Sequence, residues 1–219
     1  MNEWEVVKDF EQAIAEYTGA PYVVCVNSCT NALLLSLMWR RHNMKRNSYV
    51  YCPKKTYISV PMVITRAGFK IKWDVDDWQN ADKHSDIGLG PTSPEWVSVY
   101  CLYPSNIIDS ARKFTSGMYQ RGHYWCVSFA ASKILGMEQG GAILHDNEKA
   151  DKWFRRMRFD GRTEGVDPKD DTFDLIGHHC PMLPSVAAQG ILRLHHLPKH
   201  NEDLPHYDYP DLSQHPAFK

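Results

Sequence analysis

The feature that most constrains the fold lies near the N-terminus, where three segment types follow one another without spare residues. Tyr22 to Val26 is a β-branched apolar run, Asn27-Ser28-Cys29-Thr30 is a short polar turn, and Asn31 to Arg41 carries helical apolar spacing. Strand, turn and helix in this order open a βα unit. Ahead of it, Val6, Val7, Phe10, Ile14 and Tyr17 recur at spacings of three and four, which predicts an amphipathic helix over residues 4–17 that stops at Gly19-Ala20-Pro21.

The pattern continues along the chain. Tyr49 to Cys52 reads as a strand, Lys55-Thr56 as a turn, Tyr57 to Ala67 as a helix ending at Gly68, and Lys70 to Val75 as another strand. Asp76 to Glu95 turns polar, with Gly, Pro and Ser, and reads as a loop. Trp96 to Leu102, Asn106 to Ile108 and Tyr124 to Phe129 read as strands, and Ala142 to Leu144 closes a hairpin-like return. Glu148 to Phe159 is an amphipathic basic helix and Pro184 to Leu197 a second long one. Alternation of this kind predicts a three-layer α/β/α fold with a mostly parallel sheet over residues 1–197, followed by a Pro-, His- and Asp-rich tail or extended arm over 198–219. In such folds ligands bind beyond the carboxyl ends of the strands.

Composition narrows the partners. With 219 residues, 43% of them hydrophobic, the chain can bury one sizeable core, which excludes a disordered chain. Its 25 basic and 26 acidic residues leave a net charge of −1, so no overall field draws in a nucleic-acid backbone or an anionic membrane. The longest apolar runs, Ala32 to Met38 and Val97 to Leu102, fall far short of the ~20 residues of a membrane helix. The acidic start Met-Asn-Glu-Trp-Glu lacks the basic and apolar segments of a signal peptide, so a soluble cytoplasmic protein is expected. The six cysteines, mostly inside apolar runs and without a CxxC pair, read as buried free thiols. Adjacent pairs such as His178-His179 and His195-His196 do not face one point, so no metal is expected. Lys152, Arg155, Arg156, Arg158 and Arg162 read as a solvated basic face, offset by Asp160, Glu164 and Asp167, rather than a nucleic-acid surface.

Three places could carry chemistry. Ser28-Cys29-Thr30 at a helix start is either an ordinary cap or a phosphate cradle, because unpaired N–H groups and the positive dipole end meet there. Asp109, at the end of an apolar strand, is either a plain strand-end carboxylate or the partner of a buried cation such as a protonated ring nitrogen. Lys133, among small and apolar residues in Ser128-Phe129-Ala130-Ala131-Ser132-Lys133-Ile134-Leu135-Gly136, is either a loop lysine or an amine kept for an aldehyde.

Taken together, the Ser28-Cys29-Thr30 turn, Tyr57 in Lys55-Thr56-Tyr57-Ile58-Ser59, Asp109-Ser110-Ala111, Ser128-Phe129-x-x-x-Lys133 and Gly140-Gly141 resemble the DegT/DnrJ/EryC1/StrS family. Phe10 to Gly19 and Ala67-Gly68 through Asp74-Val75-Asp76 extend the resemblance, which runs from about residue 4 to about residue 197. That family consists of sugar aminotransferases dependent on pyridoxal 5'-phosphate, with the large domain of the aspartate aminotransferase fold (fold type I). The resemblance implies a Schiff base, the internal aldimine, on Lys133, whose released amine then moves the Cα proton. It implies further that Asp109 pairs with the pyridinium nitrogen, that Tyr57 stacks on the ring, and that Ser28, Cys29, Thr30 and Ser128 hold the phosphate. It also implies an amino acid or amine substrate, a sugar-linked acceptor and a homodimer. Departures are Cys29 where the family has Gly, Arg112 where it has Gln or His, and Gly177-His178-His179 in place of Gly-Tyr-Asn. Family members are much longer, and the small C-terminal domain is expected to be largely missing, so a dimer partner or the tail would close the site. Aminotransfer is the expected reaction. The missing domain and Arg112, a fixed cation counted with the cofactor-binding residues, weaken aminotransfer onto a sugar, so a decarboxylase or other Cα lyase is the alternative, with a non-catalytic binding protein as another.

Overall fold

A computed structural model describes residues 4–42, 48–74, 99–205 and 207–218. The elements are α1 (Glu5–Thr18), β1 (Tyr22–Val26), α2 (Cys29–His42), β2 (Tyr49–Pro53), α3 (Ser59–Arg66), β3 (Lys70–Asp74), β4 (Tyr100–Cys101), β5 (Ile107–Ser110), β6 (Tyr124–Ser128), β7 (Gly141–His145), α4 (Glu148–Met157) and α5 (Pro184–His196), with short 3-10 turns at Pro168–Asp170, Leu212–Gln214 and Pro216–Phe218. The loop expected over 76–95 lies outside the described residues.

A five-stranded sheet has the order β1-β7-β6-β5-β4, and β2 and β3 form a separate parallel pair. Parallel alignment holds for β5 with β6, whereas β7 runs antiparallel to both its neighbours and β4 antiparallel to β5. Since β7 opposes both β1 and β6, the strands β1, β5 and β6 point the same way, and their carboxyl ends share one edge.

Strand periodicity builds the layers. Along β1, Val24 and Val26 face a cluster shared with α2, α3 and α4, while Val23 and Cys25 face a second cluster shared with α1 and α5. The same division places Cys126 and Ile143 on one side and Trp125, Val127, Ala142 and Leu144 on the other. Full burial of each such apolar side chain contributes about 1.5–3 kcal/mol. Helix α2 buries the continuous run Ala32 to Leu37, as a helix covered on most sides does. α5 approaches α1 at Gly190, where a Cβ would come within 2.4 Å of the Phe10 ring. α1 stops where Gly19 adopts φ 79° and its N–H donates to Ala15 O at 2.8 Å.

Two of the boundaries that differ from expectation lie near the Asp109 strand. Tyr57 precedes α3 rather than lying in it, because the turn at Lys54-Lys55-Thr56 carries the chain to Tyr57, whose carbonyl accepts the Val60 N–H at 2.9 Å. Only Tyr100–Cys101 of the Trp96 to Leu102 stretch forms a strand among the described residues, since Leu102 N–H already turns to Ile107 O at 2.8 Å. All six cysteines are free thiols. No helix among the described residues is long and apolar enough to cross a membrane.

Within the basic run on and after α4, Lys152 is exposed, but Arg155, Arg156 and Arg158 are not a solvated face. Arg158 is 1% exposed and pairs with Glu11 and Glu164, and Arg155 pairs with Glu11 at 2.6 Å and Asp151 at 2.8 Å. Arg156 pairs with Asp174. Apart from Asp151, one turn before Arg155 on α4, these partners lie off the helix, so helical spacing does not show them.

Beside this network His145 is buried against Tyr22, Tyr124 and Phe154. Its Nδ1 accepts the Asn147 N–H at 3.3 Å, and Asp151 Oδ1 lies 3.7 Å from Nε2, beyond hydrogen-bond reach. Burial, then the Arg155 cation, pushes the imidazole down to about 4. The unfolded chain takes up a proton near pH 6.5, and the folded one does so only near 4, so protonation favours the unfolded state across that window. Stability should therefore fall by on the order of 3 kcal/mol as pH drops through it. Denaturant unfolding at a series of pH values should show this loss, and His145→Phe should flatten it.

Candidate active site

The edge shared by the carboxyl ends of β1, β5 and β6 gathers the residues singled out in the sequence. At the end of β1, Ser28 caps α2, its Oγ accepting the Asn31 N–H at 3.2 Å. Thr30 Oγ1 donates to Ser59 Oγ at 3.0 Å, tying the start of α2 to the start of α3. Behind this turn Ser28 bridges to Gly140, and a Cβ on Gly141 would sit 2.4 Å from the Cys29 nitrogen. The double glycine is therefore required where β7 packs against the first turn of α2. Cys29 Sγ donates to Cys126 O at 3.6 Å, and burial, reinforced by the Asp109 charge, pushes its thiol well above the usual range. It remains a neutral thiol at the helix N-terminus.

Asp109 lies inside β5 with 6% of its surface exposed. Its Oδ1 accepts the Ala111 N–H at 3.0 Å and its Oδ2 the Tyr100 O–H at 2.7 Å. Burial pushes the carboxyl up, and the Tyr100 and Ala111 hydrogen bonds and the Lys133 and Arg112 cations offset this only in part. A further cation beside it would stabilise the carboxylate.

Lys133 stands in the turn after β6, its N–H bonded to Ala130 O at 2.8 Å. That turn is anchored by the buried Phe129, whose N–H reaches Gly140 O at 2.9 Å and whose O accepts from Met137 N–H at 2.7 Å. Lys133 is half-buried, and its positive charge acts on both Asp109 and Cys29. Ser128 closes β6 opposite Gly141.

Tyr57 is 56% exposed, with its ring 6.2 Å from that of Tyr209. Arg112 reaches Pro205 O through Nη1 at 3.2 Å. The tail crosses this region, with Leu204 N–H on Arg112 O and Leu212 N–H on Lys54 O, each at 2.9 Å. Lys113–Asp203 at 3.4 Å and Lys55–Asp208 at 3.3 Å flank those bonds. Burial raises the Tyr209 phenol, on which Arg112, Asp109 and Tyr57 also act, so the tail delivers Tyr209 to the same neighbourhood. His179 instead holds Asp160 through Nδ1 at 2.6 Å.

Sequence reading missed Tyr100, Thr56 and Tyr209. Tyr100 reaches Asp109 through the β4–β5 register, a pairing across a turn that apolar periodicity does not reveal. Tyr209 arrives through the fold of the tail, and nothing local in the sequence marks it.

The pattern described as the DegT/DnrJ/EryC1/StrS aminotransferase family matches residues 2–80 and 116–204. Among solved structures, a DegT DnrJ EryC1 StrS aminotransferase from Brucella abortus superimposes with a TM-score of 0.66 at 22% identity, covering 87% of this chain and 58% of that one. Spr1654 from Streptococcus pneumoniae in its PLP form gives 0.66 at 20% identity, covering 88% and 59%. A GDP-4-keto-6-deoxymannose-3-dehydratase with bound GDP-perosamine gives 0.69 at 17% identity, covering 89% and 61%. The chain thus spans under two thirds of the length of these structures.

Proposed function

This chain belongs to the DegT/DnrJ/EryC1/StrS aminotransferase family, and from that premise we propose that it is a pyridoxal-phosphate-dependent aminotransferase that takes an amino group from an amino acid or amine and passes it to a sugar-linked keto acceptor. What supports this reading is that the buried Asp109 on β5 and the capped start of α2 lie at one strand edge, with the turn carrying Lys133 leaving the end of β6 beside them.

The residues present fit the cofactor. Asp109 is a buried carboxylate that burial drives toward its neutral form, and a protonated ring nitrogen is the cation that would hold it charged. The first turn of α2, with the hydroxyls of Ser28, Thr30 and Ser128 at its rim, suits a phosphate. Cys29, a neutral thiol, adds no opposing charge there. Pyridoxal phosphate supplies an aldehyde that joins amines and a protonated ring that withdraws electrons from the substrate carbon.

Each residue has a task. Lys133 Nζ is the amine that would hold the cofactor's aldehyde, and the same nitrogen would be the base that takes the substrate's Cα proton. The Asp109 carboxylate would hold a protonated ring nitrogen. Tyr57 would stack on the ring, with Tyr209 of the tail beside it. Arg112, anchored to Pro205 O, offers a fixed cation for a substrate carboxylate at the rim. Residues 198–219 act in this reading as an arm over the domain of residues 1–197, and a homodimer is the proposed assembly.

A half-reaction tests the proposal. Purified protein loaded with pyridoxal phosphate and given single amino acids should convert one of them to its 2-oxo acid, once per site, with the amino group retained on the protein. Carbon dioxide released from that amino acid would assign decarboxylation instead. Absence of both products across the panel would support the non-catalytic reading.

A further inference from the structure

The proposed mechanism leaves unused a chain of hydroxyls behind Asp109. Tyr100 stands directly opposite Asp109 in the β4–β5 register, and its phenol donates to Oδ2 at 2.7 Å. A phenol has one proton, and here the carboxylate receives it, so the 2.6 Å contact between Tyr100 Oη and Thr56 Oγ1 is made with the threonine proton. The chain therefore runs in one direction, from Thr56 O–H to Tyr100 O–H to the Asp109 carboxylate. The Ala111 N–H holds the other carboxylate oxygen, so both oxygens are pinned and the group cannot rotate.

Thr56 also precedes Tyr57, which lies at the edge of the same site. The segment carrying both is fixed at its far end by Thr30 Oγ1 on Ser59 Oγ and at its near end by the tail, through Leu212 N–H on Lys54 O. The hydroxyl chain thus joins the segment that presents a ring face to the strand that presents a carboxylate.

We propose that Tyr100, backed by Thr56, is a positioning residue that turns the Asp109 carboxylate toward the cofactor's ring nitrogen and keeps it in register with the Tyr57 ring. This inference rests on the function proposed above. Buried hydroxyl chains of this kind strengthen each successive bond, and a hydrogen bond to a charged group is worth a factor of about ten to a hundred in an equilibrium.

The test uses Tyr100→Phe and Thr56→Val, each with and without pyridoxal phosphate. Lys133, Arg112, Cys29, Cys126 and Tyr209 are the other titratable groups whose charges act between Asp109 and its surroundings, and all stay in place. In cofactor-free protein the carbon-13 titration of Asp109 should move to higher pH in Tyr100→Phe, because a donor to the charged form is gone, and in the same direction by less in Thr56→Val. Dissociation of pyridoxal phosphate, followed by fluorescence, should become about tenfold easier or more in Tyr100→Phe. An unmoved Asp109 titration in a Tyr100→Phe protein that merely melts earlier would overturn the inference. If Tyr100→Phe does not fold, Thr56→Val carries the test by the same two readouts. Wild-type protein that fails to bind pyridoxal phosphate would sink the proposed function, while the cofactor-free titration would still decide whether Tyr100 governs Asp109.

Discussion

Replacing Lys133 with alanine should slow the half-reaction with the preferred amino acid by about 10²- to 10⁴-fold, the contribution of a positioned acid–base group. The larger part of that range is expected, because the same Nζ also holds the cofactor before substrate arrives. The fold should be untouched: Lys133 is half-buried in a turn anchored by the Phe129 backbone rather than by the lysine side chain. Thermal unfolding of Lys133→Ala should accordingly match that of the wild type. A small primary amine added to the solution should restore part of the rate, since the missing function is a base at one position. A rate unchanged in the variant would remove Lys133 from the chemistry.

The largest effect on stability should come from Glu11→Gln. Glu11 Oε1 accepts the Cys25 N–H at 2.8 Å and pairs with Arg158, and Oε2 pairs with Arg155 at 2.6 Å. This one carboxylate joins α1, β1 and α4. Burial pushes it up, but the Arg158 and Arg155 cations outweigh burial and hold it below the usual range, so it is ionised in the fold. Glutamine retains the shape and an acceptor while leaving two guanidinium groups without their shared anion. Breaking a buried pair from one side costs about 3–5 kcal/mol, a large part of the 5–15 kcal/mol that holds a domain together. The melting temperature should drop by about 6–20 °C. Replacing Glu148, whose partner Lys152 is exposed on the same helix, should change it little. Calorimetry on the two variants separates the cases.

How far the sequence carries depends on how local each determinant is. β1 appears at Tyr22–Val26 as expected, because its apolar run is bounded by a helix stop at Gly19 and a polar turn. α2 begins two residues ahead of the expected Asn31, at Cys29, because the Ser28 cap draws those residues into the helix. α4 ends at Met157, short of Phe159, where the chain turns so that Asp160 N–H bonds His178 O at 3.1 Å. The placement of Ser28, Cys29 and Thr30 between β1 and α2, and of Ser128 at the end of β6, is legible because each sits where a strand meets a turn, whereas Asp109 falls inside β5 rather than at its end. Tyr100 is not legible, because its role depends on a strand register. The inward direction of Arg155 and Arg158 is not either, since their common partner lies on α1, at the opposite end of the domain's sequence. The swing of the tail back to Lys54 and Arg112 is likewise a product of contacts made only after folding.

The central claim is that Lys133 holds pyridoxal phosphate at the carboxyl edge of β1, β5 and β6. It is tested most directly by loading the purified protein with pyridoxal phosphate, reducing it with borohydride to fix the cofactor on whichever amine holds it, and mapping the added mass by peptide sequencing. The expected result is a yellow protein whose label lies on Lys133 alone and is absent from Lys133→Ala. A label on another lysine, or a protein that takes up no cofactor, would contradict it.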